Sequence, residues 1–429
     1  MEPTGEWLQI DLTPSGRAPE SEWEVSGIGA GSDGARVLIY SHDTYGLGHL
    51  RRSLLIAHRL AELPEVSSIL IATGSPLAQS FPLPAICDSV KLPAVTKEPN
   101  GRYLSRSLGI PTHEMFSLRA GILEAAARNF SPDLILVDHA PVGAQGELWP
   151  LLRWAQSRPN PPRLILGLRD VIDEAERVAD EWERFSAWSA VDEMYDRILV
   201  YGDPTVLTTA EELGLPSRQG ARLRYVGYLT RQVERIFDPA QGLPTVLVSV
   251  GGGADGAHVL DTYVEFLESA AAPLAFRSVL VGGPFLPRSR YVDLVDRCRE
   301  TGQPVDVVSF VGGLERLLSE AAGAVTMGGY NTVAELLGHG MPALIVPREA
   351  PRQEQLLRAQ RLSSVTNVEC CPMGDYGPER LSEFTSGLEQ PVPDRRFPLR
   401  LDGVEGTARE ISKVLTRTES IDRGAAVAS

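Results

Sequence analysis

From residue 36 onward the chain alternates short β-branched or leucine-rich runs with longer stretches whose apolar positions recur every three or four residues. Continuous apolar runs of strand length are what a sheet buried on both faces requires, and the helical periodicity between them supplies crossover helices, so the pattern predicts βαβ units around parallel sheets. In the first half the predicted strands are 36–41, 68–72, 133–137, 164–168 and 198–201, with helical patterns over 50–61, 113–128 and 176–194. The rhythm restarts with strands 245–250, 278–281, 305–310, 324–327 and 343–346, and helices near 255–268, 314–321, 332–337 and 352–361. Periodicity lapses in between, from Arg231 through Phe237, Asp238, Pro239, Gln241, Gly242 and Pro244, which marks a linker near residue 235. The expected architecture is α/β, with two Rossmann-like, doubly wound domains facing a cleft. Residues 1–34 form an expected extension without fixed structure, 35–234 the first domain and 235–400 the second. Residues 401–429 follow as a segment whose amphipathic stretch 404–415 can pack back across either domain, and then a tail.

Charge narrows the partners. The 429 residues carry 41 Lys and Arg against 56 Asp and Glu, a net charge of −15, which argues against nucleic acid and against docking on an anionic leaflet. No apolar run approaches the roughly 18 residues of a membrane span. The N-terminus, with Glu2, Glu6 and Asp11, lacks the basic-then-apolar signature of a signal peptide, so a cytoplasmic protein without integral membrane association is expected. Cys87, Cys298, Cys370 and Cys371 offer neither a disulfide framework nor metal-ligand spacing.

Two glycine-rich turns carry candidate chemistry. Strand 245–250 runs into Gly251-Gly-Gly-Ala-Asp-Gly256 and a helical pattern, which aims backbone N–H groups and a helix N-terminus at an anion. Gly251, Gly253 and Gly256 match the dinucleotide fingerprint, but the next strand ends in Val281-Gly-Gly-Pro-Phe285 where an acidic residue should grip the ribose. Nicotinamide binding and a glycine turn without a ligand stand as alternatives. The second turn is Thr326-Met-Gly-Gly-Tyr-Asn-Thr-Val-Ala-Glu335, followed by Leu-Leu-Gly-His-Gly-Met-Pro342, an apolar strand, and Arg352-Gln-Glu-Gln355. Gly328 and Gly329 permit a tight exit from the strand, Asn331 or Thr332 can cap the next helix, and its free amides can hold a diphosphate. Glu335 stands about one turn further on, placed to accept both hydroxyls of a ribose; a solvated helix-face glutamate is the alternative.

The stretch 326–355 resembles the nucleotide-sugar signature of GT-B glycosyltransferases, both the peptidoglycan N-acetylglucosaminyltransferase group and the plant UDP-glycosyltransferases. The resemblance implies that Gly329, Asn331 and Thr332 hold the diphosphate, Glu335 the ribose, and Glu354 and Gln355 the sugar hydroxyls, with Gln353 as the competing assignment one residue away. It places Gly252 and Gly253 in the glycine loop opening a donor-binding domain, and Phe310 and Val311 where main chain meets the nucleobase edge. The base itself stays open. Val226-Gly-Tyr-Leu-Thr-Arg231 resembles the interdomain turn, which makes Arg231 a candidate cation for the diphosphate; a linker surface arginine is the alternative.

In the first domain, Tyr40-Ser-His-Asp-Thr-Tyr-Gly-Leu-Gly-His-Leu-Arg-Arg-Ser53 resembles the Gly-Gly-His loop of the same enzymes. His49, with an ordinary pKa near 6.5, is the candidate general base, a role contributing about 10²- to 10⁴-fold, while helix capping or phosphate contact is the competing assignment. His42 and Asp43 are placed to orient it or to line the acceptor site. Asp138-His139 ends another strand, where doubly wound sheets put ligands: Asp138 is a base, the partner of His49 or a helix cap, and His139 an acceptor contact. Asp170, beside Arg169, is an acceptor contact or a structural ion pair. The first domain as a whole resembles soluble bacterial predicted glycosyltransferases, through Ser41 to His49, Gly74-Ser-Pro76 and Leu168-Arg-Asp170.

The resemblance therefore implies an inverting GT-B glycosyltransferase that moves a sugar from a nucleoside-diphosphate sugar to a hydroxyl, amine or thiol of a soluble small molecule, in a secondary-metabolite pathway such as antibiotic biosynthesis. No cofactor is expected beyond the donor as co-substrate. No metal is expected either, since no Asp-x-Asp strand end occupies the usual position. A non-hydrolysing sugar-nucleotide epimerase and a non-catalytic nucleotide-sugar-binding protein are the alternatives, and the oligomeric state stays open.

Overall fold

A computed structural model describes residues 34–42, 47–97, 103–231, 243–253, 255–311, 313–388 and 399–416. The expected extension lies outside the described residues except for residue 34, as do the linker near 235, the tail beyond 416 and Asp43.

The strands are β1 (Ala35–Ser41), β2 (Val66–Thr73), β3 (Cys87–Lys91), β4 (Val95–Lys97), β5 (Tyr103–Ser105), β6 (Leu134–Asp138), β7 (Arg163–Arg169), β8 (Arg197–Tyr201), β9 (Leu223–Tyr225), β10 (Thr245–Ser249), β11 (Arg277–Val281), β12 (Val305–Val308), β13 (Gly323–Thr326), β14 (Ala343–Ile345) and β15 (Val368–Cys370). The first parallel sheet has the order β3-β2-β1-β6-β7-β8-β9 and the second β12-β11-β10-β13-β14-β15, while β4 and β5 form an antiparallel pair. All ten predicted strands are present. The central ones, such as β6 and β8, are buried at every position, which is why their sequences are apolar without alternation. Five strands lack that signal: β3, β9 and β15, which sit at sheet edges and are short or half-exposed, and the three-residue strands β4 and β5 of the antiparallel pair. The helical pattern 176–194 is two helices, Ala175–Arg184 and Ala187–Glu193, broken where Ser186 adopts φ +54°.

In each sheet the strand order reverses at one place, between β1 and β6 and between β10 and β13. Ligands of open α/β sheets bind beyond the carboxyl ends of the strands at such points. Four helices define what happens there: α1 (Gly48–Leu60) after β1, α2 (Tyr330–His339) after β13, α3 (Glu354–Ser363) after β14, and α4 (Gly403–Leu415).

The halves share a continuous apolar core, in which Leu50 and Leu54 of α1 join Val333 and Leu336 of α2. Tyr330 is the pivot. Its ring stacks on Tyr228 with centroids 6.1 Å apart, its hydroxyl accepts the Leu229 N–H at 3.0 Å, and the guanidinium groups of Arg52 and Arg358 lie 5.5 and 5.6 Å from its centroid. Helix α4 returns to the first half: Arg59 of α1 donates to Glu405 at 2.7 Å, and the Arg400 carbonyl just before α4 accepts the Tyr228 N–H at 2.8 Å. Among the described residues no helix is long and apolar enough to cross a membrane.

Candidate functional site

Both switch points open on one cavity of about 570 Å³, within the range of small-ligand sites. On the first-half wall, His49 occupies the first turn of α1. Its Nδ1 lies 2.6 Å from Oδ2 of Asp138, the last residue of β6. Arg52, one turn along α1, donates to both oxygens of Asp138, at 2.9 Å from Nε and 2.8 Å from Nη2. Arg52 Nη2, a donor only, also lies 2.9 Å from Nδ1, but the shorter contact is the one to the Asp138 carboxylate, which only accepts; we assign the proton to Nδ1 on that contact, which leaves Nε2 with the basic lone pair. Burial pushes the His49 imidazole below its ordinary value, and Asp138 opposes that shift. Burial also disfavours a charged Asp138, but Arg52 and His49 outweigh it and hold its carboxyl well below the usual range. The pair at neutral pH is therefore a neutral imidazole oriented by a charged aspartate.

His42 and His139 complete a histidine cluster with His49, the ring centroids 5.1 to 5.3 Å apart in each of the three pairings. His139 sits at φ +70°, its N–H bonded to the Gly167 carbonyl at 2.7 Å. Burial, reinforced by Arg169 and the other two imidazoles, keeps it neutral by pushing its pKa well down. All three rings line the cavity.

The second-half wall is built from turns and helix ends. Gly329 precedes α2 with no side-chain cap, so the first amides of that helix, at Tyr330, Asn331 and Thr332, reach the cavity without an intrahelical acceptor. A Cβ on Gly329 would meet no protein atom within 4 Å, and its φ of −66° suits any residue. Nothing in the protein itself demands glycine there, whereas a ligand approaching the backbone would. Gly253 is the opposite case: at φ +82° its Cβ would stand 2.1 Å from the Gly282 carbonyl oxygen, so packing alone explains it. Phe310 and Val311, which follow β12, and Gly252 also line this wall.

The carboxylates of this wall are both engaged across the cleft. Arg51 of α1 donates to Glu335 Oε1 at 2.5 Å, and Arg169 at the end of β7 pairs with Glu354 Oε2 at 2.7 Å. Burial would raise the Glu354 carboxyl, but Arg169, Arg358 and Arg348 pull it down to about 2. At Glu335 burial wins despite Arg51, and the carboxyl is pushed up to about 7. An unfolded glutamate titrates near 4.3, so the folded protein takes up this proton more readily; the group favours folding at acid pH, and that contribution is lost as pH rises through about 7. The melting temperature of Glu335→Gln relative to wild type should therefore move in the variant's favour between about pH 5.5 and pH 8. A difference independent of pH would contradict this account of the carboxyl.

Several sequence assignments need correcting in place. Asp170 does not reach the cavity: it is fully buried and bonded to Arg358 of α3, with Arg358 Nη2 2.9 Å from Oδ1. Its neighbour Arg169 pairs instead with Glu354. Arg231 is exposed and outside the cavity lining, Gly253 lies behind Gly252, and Asp138 stands behind His49 with both oxygens occupied. Glu335 does not line the cavity, and Arg51, which does, is bonded to it. Glu354 and Gln355 line the cavity and Gln353 does not; its N–H is bonded to Asp173 at 3.0 Å. Gln355 accepts the Arg348 N–H through Oε1 at 3.0 Å. Asn331 lines the cavity too, but its side-chain amide donates to the Gly48 carbonyl at 2.8 Å. The roles of Tyr330 and Arg358 had no signal, because an aromatic in a glycine turn and an arginine on a helix show their partners only once the chain is folded.

Residues 247–394 match the Glycosyltransferase family 28 C-terminal domain. A UDP-N-acetylglucosamine--N-acetylmuramyl-(pentapeptide) pyrophosphoryl-undecaprenol N-acetylglucosamine transferase of Bordetella petrii is 28% identical over 228 residues, 53% of this chain and 59% of that protein. The chain spans about half the length of the curated relatives it matches. Among solved structures, a UDP-glucosyltransferase from Polygonum tinctorium capable of glucosylating indoxyl superposes with TM-score 0.60 at 15% identity, covering 91% of this chain and all of that one. The calicheamicin glycosyltransferase CalG4 superposes with TM-score 0.59 at 16% identity and the same coverage. The fold is GT-B, and the chain resembles the group of peptidoglycan N-acetylglucosaminyltransferases and UDP-glycosyltransferases.

Proposed function

We propose that the protein is a glycosyltransferase that takes a sugar from a nucleoside-diphosphate sugar held on the second-half wall and passes it to an acceptor held on the first-half wall. The observation that carries this is the uncapped N-terminus of α2 beside a glycine that packing does not require, with Glu335 one turn behind it and His49 Nε2 in the same cavity. The helix end and its amides favour the donor's diphosphate. Glu335 is assigned the ribose diol, and Glu354 and Gln355 the hydroxyls of the sugar.

In the proposed reaction His49 Nε2 takes the proton of the acceptor's hydroxyl, amine or thiol as that atom bonds to the anomeric carbon. The bond from that carbon to the diphosphate oxygen breaks on the opposite face, so configuration inverts. Asp138 stabilises the imidazolium that forms. The departing diphosphate gains its charge against the α2 amides, in a role that needs no metal ion.

The acceptor is proposed to be a soluble small molecule with an apolar body. Tyr103, Val142, Ile172, Val178, Trp182 and Phe185 line the first-half side of the cavity, and a chain of net charge −15 is a poor match for an anionic lipid surface. A biosynthetic role, such as the decoration of a natural product, fits that pocket and the calicheamicin enzyme's fold. The second reading is a lipid-linked diphosphate acceptor, favoured by what the Bordetella relative is named for.

Glu335→Ala should weaken binding of the preferred nucleoside diphosphate by about 1 to 3 kcal/mol, since it removes charged hydrogen bonds to the ribose; calorimetry showing wild-type affinity would remove Glu335 from the donor site. Incubating the wild-type protein with donor sugar alone then separates the enzyme classes. Accumulation of an epimerised donor would replace transfer by epimerisation.

A further inference from the structure

Among the arginines that pair with carboxylates around the cleft, Arg358, Arg52, Arg169 and Arg51 are not equivalent. Arg358 is fully buried and saturated: it bonds both oxygens of Asp170, the Gly328 carbonyl and the Val171 carbonyl. Arg52 is likewise buried, with two bonds to Asp138. Arg169 pairs with Glu354 in a nearly closed setting, each side chain 11% exposed. The fourth pair is unlike these. Arg51 keeps 22% of its side chain exposed and lines the cavity, and it gives Glu335 a single bond, to Oε1. The other oxygen, Oε2, is buried with no hydrogen-bond partner. A buried carboxylate oxygen left unmet costs free energy that a better partner would recover.

The vicinal hydroxyls of a ribose are such a partner, because they offer two donors to the two oxygens of one carboxylate. When they arrive, the single Arg51 bond is the one they displace. Arg51 cannot travel far, since its backbone is fixed in the first helical turns of α1, where Arg51 N bonds the Leu47 carbonyl at 2.9 Å. The Gly48 carbonyl in that same turn is tied to Asn331, on the first turn of α2, at 2.8 Å. A guanidinium released from Glu335 therefore stays on a helical turn that touches the first turn of α2.

We infer that Arg51 exchanges ligands during donor binding: it occupies the ribose carboxylate Glu335 in the empty protein, is displaced by the ribose hydroxyls, and then binds the diphosphate of the donor. This rests on the donor-site reading given above. Two consequences are opposite in sign, which a merely structural ion pair would not produce. Removing Arg51 spares the ribose the cost of displacing it, and deprives the diphosphate of a bidentate cation.

The test compares uridine with UDP, and guanosine with GDP, by calorimetry on wild type, Arg51→Ala and Arg51→Lys. In Arg51→Ala the nucleoside should bind about threefold tighter or more, while the affinity gained by adding the diphosphate should shrink about tenfold or more. Arg51→Lys, which keeps the charge but not the bidentate fork, should lose less of that gain than Arg51→Ala. A gain that stays within about twofold of wild type in Arg51→Ala, or one that shrinks without tighter nucleoside binding, overturns the exchange. Equal loss of the gain in both variants also overturns it, because distorted packing and not charge would be the cause. If wild type binds none of UDP, GDP, TDP and ADP, the donor-site reading falls and this inference with it; binding by wild type with an unchanged gain in the variants sinks the inference alone.

Discussion

His49→Ala is expected to lower turnover by about 10²- to 10⁴-fold while donor affinity stays at the wild-type level. The size follows from removing the proton acceptor, and the unchanged affinity from its position on the wall opposite the α2 helix end. Asp138→Asn should also reduce turnover, because an amide can donate to Nδ1 and so place the imidazole proton on Nε2, where the lone pair is needed. The pH profile carries the sign. Since burial lowers the His49 pKa, the acid limb of kcat/KM should lie below pH 6.5, with activity lost as pH falls through it. A thiol acceptor, whose own pKa is near 8.5, should suffer less from His49→Ala than an alcohol does. Steady-state kinetics beside donor calorimetry measures all of this, and wild-type turnover in His49→Ala would take His49 out of the mechanism.

Arg358→Ala is expected to cost about 3 to 5 kcal/mol of folding stability, the usual result of stranding one partner of a buried ion pair. Both side chains are fully buried, and the arginine also satisfies the carbonyls of Gly328 and Val171, so no water is at hand to replace it. The double change Arg358→Met with Asp170→Leu should recover only part of the loss, because it removes the stranded charge but leaves the Gly328 and Val171 carbonyls and the Val171 N–H without their partners. Denaturant unfolding of the three proteins checks this. An unchanged midpoint in Arg358→Ala would mean that the joint between the two halves does not depend on this pair.

The sheets were legible in the sequence because their central strands are buried on both faces and so are continuously apolar, as in Leu134 to Val137. Edge strands such as β3, with a polar and partly exposed sequence, carried no such mark. The glycine turn at 328–329 and the helix after it were legible for the same local reason: strand exit, turn and helix onset lie within a few residues. What the sequence could not supply was partnership across distance. Asp170 meets Arg358 across 188 positions and Glu335 meets Arg51 across 284, so local spacing offers no hint of either. Of the two readings open for Asp170 the structure has the ion pair, with Arg358 in place of the neighbouring Arg169, and at Gly253 the packing against Gly282 accounts for the glycine. The Gln353, Glu354 and Gln355 register was open for a related reason, since a shift of one residue changes which side chain faces the cavity only once α3 is set in place.

The central claim is that the cleft holds a nucleoside-diphosphate sugar, and the most direct measurement is calorimetric titration of the wild-type protein with UDP, GDP, TDP and ADP, with NAD as the comparison. The account predicts saturable binding of one preferred diphosphate and weak or absent binding of NAD. Binding of NAD alone would contradict it, and would return the glycine loop after β10 to the dinucleotide fingerprint it partly matches.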